Sequence, residues 1–480
     1  MSALPEWLRQ FLPILVLLVA IGLVLWRMPK VQLGHSDAFK RRRFFNWFPL
    51  GLTYAFLYMG RYNINEATSA LKGTSNEDFG LIFGVGAWAY FLSFFINGPL
   101  TDRLGGRKTI MISAVGSAVV NILMGVLTWG SVSGTFSTPG GLVPGLTVLF
   151  AANMYFQSFG AVSIVKVNAH WFHVRERGVL GGVFGILISL GIYFAYDWSK
   201  FIVRALPTYW AFYVPAAILL VFFIIDFFLV RDSPSEAGFE DFDTADASSG
   251  DTGPRVGALD VVTKMLSNPV IITILLIEFC SGFLRNAIMQ WGRKYAVQTG
   301  LESFVFENWG MVLCVAGILG GMFAGVISDK VFDSRRGPVS AVLYGGMSLG
   351  AIASAFFLGS WAMGWVVAFM SLCVIGVHGM LSGTASMDFG GKKNAGVAVG
   401  IIDGAVYMGT GLQSVLLGSI LPSGELARNP GNWMNWPLAM IPVAVVGFVL
   451  ATRVWNAKPQ KAGAPAPAPQ ASVAVEPKPN

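Results

Sequence analysis

GPLTDRLGGRK, residues 98–108, closes one long apolar run of this 480-residue chain, and GVISDK, residues 325–330, closes another. The second copy is degenerate, yet it too is followed by a basic pair, Arg335 and Arg336. Asp102 and Asp329 lie 227 residues apart. A second pair of features repeats at nearly the same offset. Arg61 and Arg285, 224 residues apart, each sit inside an apolar stretch: FFNWFPLGLTYAFLYMGRYNINEA (44–67) and PVIITILLIEFCSGFLRNAIMQW (269–291). Each follows its helix start, Phe45 or Pro269, by 16 residues, so a rise of about 1.5 Å per residue brings both to similar depth. Nearly equal offsets at two independent features predict an internal duplication of six helices plus six. Arg175-Glu-Arg177-Gly178 and Lys392-Lys393 through Gly396 are a smaller echo, each opening the fifth helix of its half.

Composition agrees with a membrane location. Hydrophobic residues make up 54% of the chain and charged residues 12%, with a mean hydropathy of +0.61. That excludes an ordinary soluble domain and predicts an all-α polytopic membrane protein. The 57 glycines suit close helix packing in lipid. The net charge of +7 is scattered over short loops and does not point to nucleic acid. Cys280, Cys314 and Cys373 fall in apolar runs without metal-ligand spacing and read as packing. No GxxxxGK[ST] loop, Cys/His cluster or Ser–His–Asp arrangement appears, so neither an enzyme, a metal site, a cofactor nor an ATP-driven pump is expected.

Thirteen apolar spans reach membrane length: 11–27, 44–66, 79–99, 108–130, 146–168, 178–196, 208–230, 270–291, 306–328, 339–358, 363–386, 395–418 and 434–453. Placing the loop of Lys40, Arg41, Arg42 and Arg43 in the cytoplasm puts 24 of the 33 Lys and Arg residues there and 7 outside, with Arg61 and Arg285 in the membrane. The N-terminus is then external and the C-terminus cytoplasmic. The expected domains are an extra N-terminal transmembrane helix and connector (1–39), a six-helix bundle (40–230), a mobile acidic cytoplasmic linker (231–264), a second six-helix bundle (265–456) and a disordered Pro/Ala-rich tail (457–480). The first span has no A-x-A-like site after it and reads as an uncleaved anchor.

A guanidinium stays charged at ordinary pH, so inside a bilayer it faces a polar cavity or a partner. Two of them at one depth, in matching helices of two halves, make a site for a small dianion. Tyr54, Tyr58 and Arg61 are spaced i, i+4, i+7 and share one helix face. Guanidiniums make paired charge-assisted hydrogen bonds to phosphate oxygens, and phenols add neutral ones. The competing reading for Tyr54, Tyr58 and Tyr407 is helix packing with a satisfied hydroxyl.

The 98–108 loop resembles the signature of the major facilitator superfamily, with one inserted glycine. Within it the chain is similar to the organophosphate:phosphate antiporters, relatives of glycerol-3-phosphate and hexose-phosphate transporters, over about residues 42–455. The residues that carry this are Tyr54, Tyr58, Arg61 and Asn63; Phe283, Leu284, Arg285 and Trp291; Gln157 with His170-Trp171-Phe172 and Arg175; and Lys392, Lys393, Gly396 and Tyr407. The resemblance implies two six-helix bundles around a central basic cavity, with Arg61 and Arg285 as the phosphate-binding pair and Gln157 and Tyr407 beside them. It implies a gating latch at Asp102–Arg103 toward the opposite half, with Asp329 as its counterpart. The chain departs from the family where Tyr62, Phe94, Ile188 and Gly282 replace polar or basic residues, and where His378 replaces a tyrosine. The pocket around the arginines is therefore this chain's own, and Tyr62 and His378 join the candidate binding residues.

Glu278, two turns before Arg285 and about 10 Å nearer the cytoplasm, is expected to balance cavity charge or serve a gate, with proton carriage as the other reading. Asp403 stands between a helix–helix hydrogen bond and the cavity, and His378 between packing and ligand. The expected function is secondary active transport of a small phosphorylated organic anion in exchange for inorganic phosphate, by a monomer in a bacterial inner membrane. The alternatives are a proton-coupled organic-anion symporter and a transporter-like sugar-phosphate receptor paired with a sensor kinase.

Overall fold

The computed structural model describes residues 33–71, 74–135, 140–173, 176–244, 257–301, 303–332 and 335–456, with a few helical positions between 15 and 26. Side chains at 177–182, 184, 258, 326, 329–330 and 382–396 lie outside the description, as do most of the first expected span and the C-terminal tail. Among the described residues the secondary structure is helical without strands.

The N-terminal half is built from α1 (Asp37–Ala70), α2 (Asn76–Leu104), α3 (Gly106–Ser133), α4 (Leu142–Trp171), α5 (Arg177–Tyr193) and α6 (Trp210–Leu229). A π-helical turn, Phe194–Trp198, and a short helix, Ser199–Ala205, extend α5. The C-terminal half holds α7 (Pro269–Thr299), α8 (Trp309–Val331), α9 (Arg336–Phe356), α10 (Met363–Ile420) and α11 (Asn435–Arg453). Local chemistry sets the ends. Ser75 and Asp78 form a reciprocal capping box at the start of α2. Asn268 and Pro269 start α7, and Gly300, at φ +68°, ends it.

At 58 residues, α10 is about three times the length a crossing needs. Both its ends lie near the C-terminus of α7: Gly359 N, just before α10, donates to Tyr295 Oη, and Asn76, bonded to Gln298, also donates to Pro422 O just after α10. The element therefore reverses and supplies two legs, at the eleventh and twelfth of the thirteen expected spans. Among the described residues nine helices are long and apolar enough to cross a membrane, and Trp309–Gly325 is a shorter apolar one. Their outer faces expose Leu92, Ile96, Phe228 and Leu349, as lipid-facing surfaces do.

The halves meet reciprocally. The second crossing of the N-terminal half, α2, packs on the fifth of the other, the return leg of α10; α5 packs on α8. Glycine makes the first contact close: a Cβ on Gly80 would fall 2.4 Å from Ser414 O, and Gly418 approaches Gly80 in return. This exchange of equivalents is the three-dimensional form of the repeat at 98–108 and 325–330.

The 98–108 loop is tied to its own half. Asp102 Oδ1 lies 2.9 Å from Lys166 Nζ of α4, Arg107 Nη2 donates to Phe227 O of α6, and Arg103 is exposed. The expected latch to the opposite half has Asp329 as its counterpart, and the side chain of Asp329 lies outside the described residues. The inserted glycine has a steric reason. Gly105 has φ +89°, and Asp232 covers it, accepting from Arg107 N at 2.8 Å. Burial raises the Asp232 carboxyl above its ordinary range.

The sequence reads the linker as mobile; its first part, residues 231–244, packs on the N-terminal half. Asn46 and Trp171 both donate to Arg231 O, Phe239 and Phe242 pack edge-on against Phe39, and Thr244 is fully buried. Two aromatics within an acidic stretch supply the apolar surface that composition averages away.

α7 and the return leg of α10 touch backbone to backbone. A Cβ on Gly282 would lie 1.9 Å from Val406 O, and one on Gly409 would lie 2.1 Å from Phe279 O. Gly282→Ala should cost about 1–3 kcal/mol through overpacking and lower the thermal midpoint in detergent. Gly321→Ala, where a Cβ meets nothing within 4 Å, should not. Equal midpoints for the two variants would refute this close contact.

Candidate functional site

Arg61 is fully buried, and every arm of its guanidinium has a partner. Nε donates to Gln157 Oε1 at 2.8 Å, Nη1 to Tyr407 Oη across the interface between the halves, and Nη2 reaches Tyr90 Oη at 3.4 Å. The cation also lies over the rings of Tyr58 at 4.6 Å and Tyr90 at 4.8 Å. Tyr90 and Tyr407, one from each half, stack at 3.8 Å. Gln157 is held in turn: its Nε2 donates to Asn153 Oδ1, and Asn153 Nδ2 donates to Gly60 O. Asn121 and Asn63 extend this buried amide network. The bonds from Gln157 through Asn153 to Gly60 O hold Arg61 on the N-terminal half.

Tyr54, Tyr58 and Tyr62 line the same face of α1. Their rings follow one another at 5.2 and 5.9 Å, and Tyr62 stacks further on Phe83 and Tyr196.

Arg285 is dressed differently. It is 5% exposed, yet its Nε and Nη2 have no hydrogen-bond acceptor among the described residues. Its electrostatic neighbours are Tyr62, Tyr58, Tyr407 and Asp403. Arg61 shares Tyr58 and Tyr407, so the two cations converge on one cluster of phenols. Around Arg285 the helix is anchored by Asn286, whose Nδ2 donates to Thr410 Oγ1 at 2.7 Å. Asp403, 9% exposed, is an electrostatic neighbour of both Arg285 and Tyr90.

Glu278 is fully buried, and its Oε2 lies 3.1 Å from Nδ1 of His378 on the outgoing leg of α10. The sequence placed Glu278 relative to Arg285 on one helix; the partner from another helix was beyond that reading.

A second set of charges joins the halves on the face opposite the basic loops. Arg293 of α7 grips Glu66 of α1 through two bonds, Nε to Oε1 at 2.8 Å and Nη2 to Oε2 at 3.2 Å. Asn76 and Gln298 exchange hydrogen bonds at 3.0 Å. Asp197, in the π-helical turn, accepts from Gly310 N and Met311 N at 2.9 Å, capping α8 from the other half. Contacts of this density close that face. Sequence reasoning missed Glu66, Arg293 and Asp197, because charges at span ends are ordinary. It also missed Tyr90, one turn before the position it did single out, and Asn121 and Asn153, whose only signal is an amide inside an apolar run.

Residues 50–414 match the family model of the Major Facilitator Superfamily. The chain is 26% identical over 444 residues to the glycerol-3-phosphate transporter of Bacillus subtilis, covering 87% of this chain and 94% of that one. It is 24% identical to a probable hexose phosphate transport protein of Chlamydia trachomatis, with 90% and 94% covered. It is 25% identical to the membrane sensor protein UhpC of Escherichia coli, with 77% and 84% covered. Among solved structures, the partially occluded inward-open xylose transporter XylE of E. coli shares the fold at a TM-score of 0.62 and 15% identity, over 89% of this chain and 100% of that one.

Glu66→Ala would leave Arg293 unpaired, at a cost on the order of 2 kcal/mol. Opening of the closed face should then be roughly 30-fold more frequent. Amide exchange in residues 66–80 and 293–312 should quicken, and unchanged exchange there would remove this pair from the gate.

Proposed function

The chain belongs to the Major Facilitator Superfamily, and we propose that it exchanges a small phosphorylated organic anion for inorganic phosphate across a bacterial inner membrane. It is a transporter-family membrane protein rather than an enzyme. The names of the transport relatives support the substrate class. The basic face lies in the cytoplasm on this reading, with the N-terminus external and the C-terminus inside.

The observation that carries the proposal is the contrast between the two arginines. Arg61 is held by Gln157, Tyr90 and Tyr407, while Arg285 points two buried N–H groups at no acceptor among the described residues. A buried cation without an acceptor is costly, and a phosphate oxygen is the acceptor its planar fork fits best. The anion binds Arg285 first on this account. It then draws Arg61 from Tyr407, exchanging a neutral phenol for a charged oxygen. Both halves hold the ligand, so the loaded carrier passes between its two open states more readily than the empty one. Two cations without an anion resist that passage, which favours exchange over uniport.

Arg285→Lys is the cleaner test, because it disturbs no described hydrogen bond. Lysine keeps the charge and loses the two-point grip, so phosphate counterflow in proteoliposomes should fall roughly 10- to 100-fold. Arg61→Lys should fall at least as far, since it also releases Gln157 and Tyr407. Normal counterflow by either monodisperse variant would eliminate the two-arginine site. In wild type, excess phosphate should compete with labelled organophosphate. Uptake indifferent to phosphate but blocked by unphosphorylated acids would indicate a carboxylate symporter. Tight binding without flux would indicate a receptor.

A further inference from the structure

Glu278 and His378 form a buried acid–base pair that two-arginine binding does not use. Glu278 is fully buried on α7, two turns before Arg285, and its Oε2 is 3.1 Å from His378 Nδ1. The imidazole side chain keeps 20% of its surface exposed. The charged or titratable groups that face the pair, among the described residues, come from three helices. Arg285 and Cys280 lie on α7, Asp403 on the return leg of α10, and Tyr344 on α9, where its hydroxyl donates to Ile277 O at 2.6 Å. An ionised carboxylate accepts, so Nδ1 carries the shared hydrogen and Nε2 is the nitrogen left to take a proton.

The pair has two charge states. With a neutral imidazole it carries one negative charge; with one more proton it carries none. In the first state it repels an arriving dianion and offsets part of the field of the arginines. In the second that repulsion is gone. Binding of the dianion and protonation of the pair therefore favour each other, by reciprocity of coupled equilibria.

We propose that Glu278 and His378 are a proton-binding site coupled to the anion site, so that the chain takes up a proton with the phosphate group it binds and releases it with that group. The proton passes from water to His378 Nε2 and back to water on release; no other bond changes. The inference rests on the phosphate-site reading above.

The test measures the apparent affinity for inorganic phosphate, by counterflow in proteoliposomes, at equal internal and external pH from 6 to 8. Wild type, Glu278→Gln and His378→Gln are compared, each relative to its own maximum. Uptake of one proton changes affinity by up to about tenfold per pH unit. Expressed per phosphate dianion, the affinity of wild type should weaken as pH rises, and that of either variant should change less. The titration of phosphate itself is common to all three and cancels. Should a variant not fold, the wild-type slope, compared with the change in the free dianion fraction, decides alone. Equal slopes in all three, or a wild-type slope that only follows the dianion fraction, would overturn the proton site and leave the anion site standing. Absence of phosphate counterflow in wild type at every pH would overturn the phosphate reading and this inference with it.

Discussion

Arg61 carries a charge that no physiological pH removes, and it is completely buried where the two halves of the protein meet. Much of the neighbouring architecture answers that constraint. Gln157, locked by Asn153 and through it to Gly60 O, takes one arm of the guanidinium from within the N-terminal half. Tyr407 takes another from the opposite half. The cation is thus held by one bundle and linked to the other. A charged oxygen is a stronger acceptor for a guanidinium than a neutral phenol.

The rest of the interface divides the work by chemistry. Glycines bring backbones together, as at Gly80 with Gly418. Directional charges hold the face away from the basic loops: Arg293 on Glu66, and Asp197 on the first turn of α8. Both rest on the helices that carry, or adjoin, the central cluster. Glu66 follows Arg61 on α1, and Arg293 follows Arg285 on α7. A shift of either helix that accommodates a ligand therefore moves its gate charge as well. The loop at 98–108 shows the opposite economy. Its acid and one of its arginines bond within their own bundle, which makes that bundle a rigid unit.

Two residues near the arginines depart from what the family resemblance implies. Gly282 stands where the family resemblance implies a tyrosine, and the space beside it is taken by Val406 O of the return leg of α10. That approach brings Tyr407 to Arg61 and Tyr90. His378 stands where another tyrosine is expected and turns to Glu278.

The residues in order determined the class of the protein and its all-helical fold, and they placed the two arginines inside apolar runs. All of these depend on local hydrophobicity or on a repeated spacing, and both survive in one dimension. The tyrosine face of α1 was legible for the same reason, since i, i+4, i+7 is a property of a single helix. Partners between helices were not. Nothing along the chain joins Glu278 to His378, Glu66 to Arg293, or Arg61 to Tyr90, because the joining is done by packing of distant segments. Nor could acidic composition reveal that Phe239 and Phe242 pin the start of the linker. Tertiary structure alone decided which buried charges are satisfied and which still require an acceptor. That balance is set by which helices come within hydrogen-bonding distance, and sequence order does not record distance.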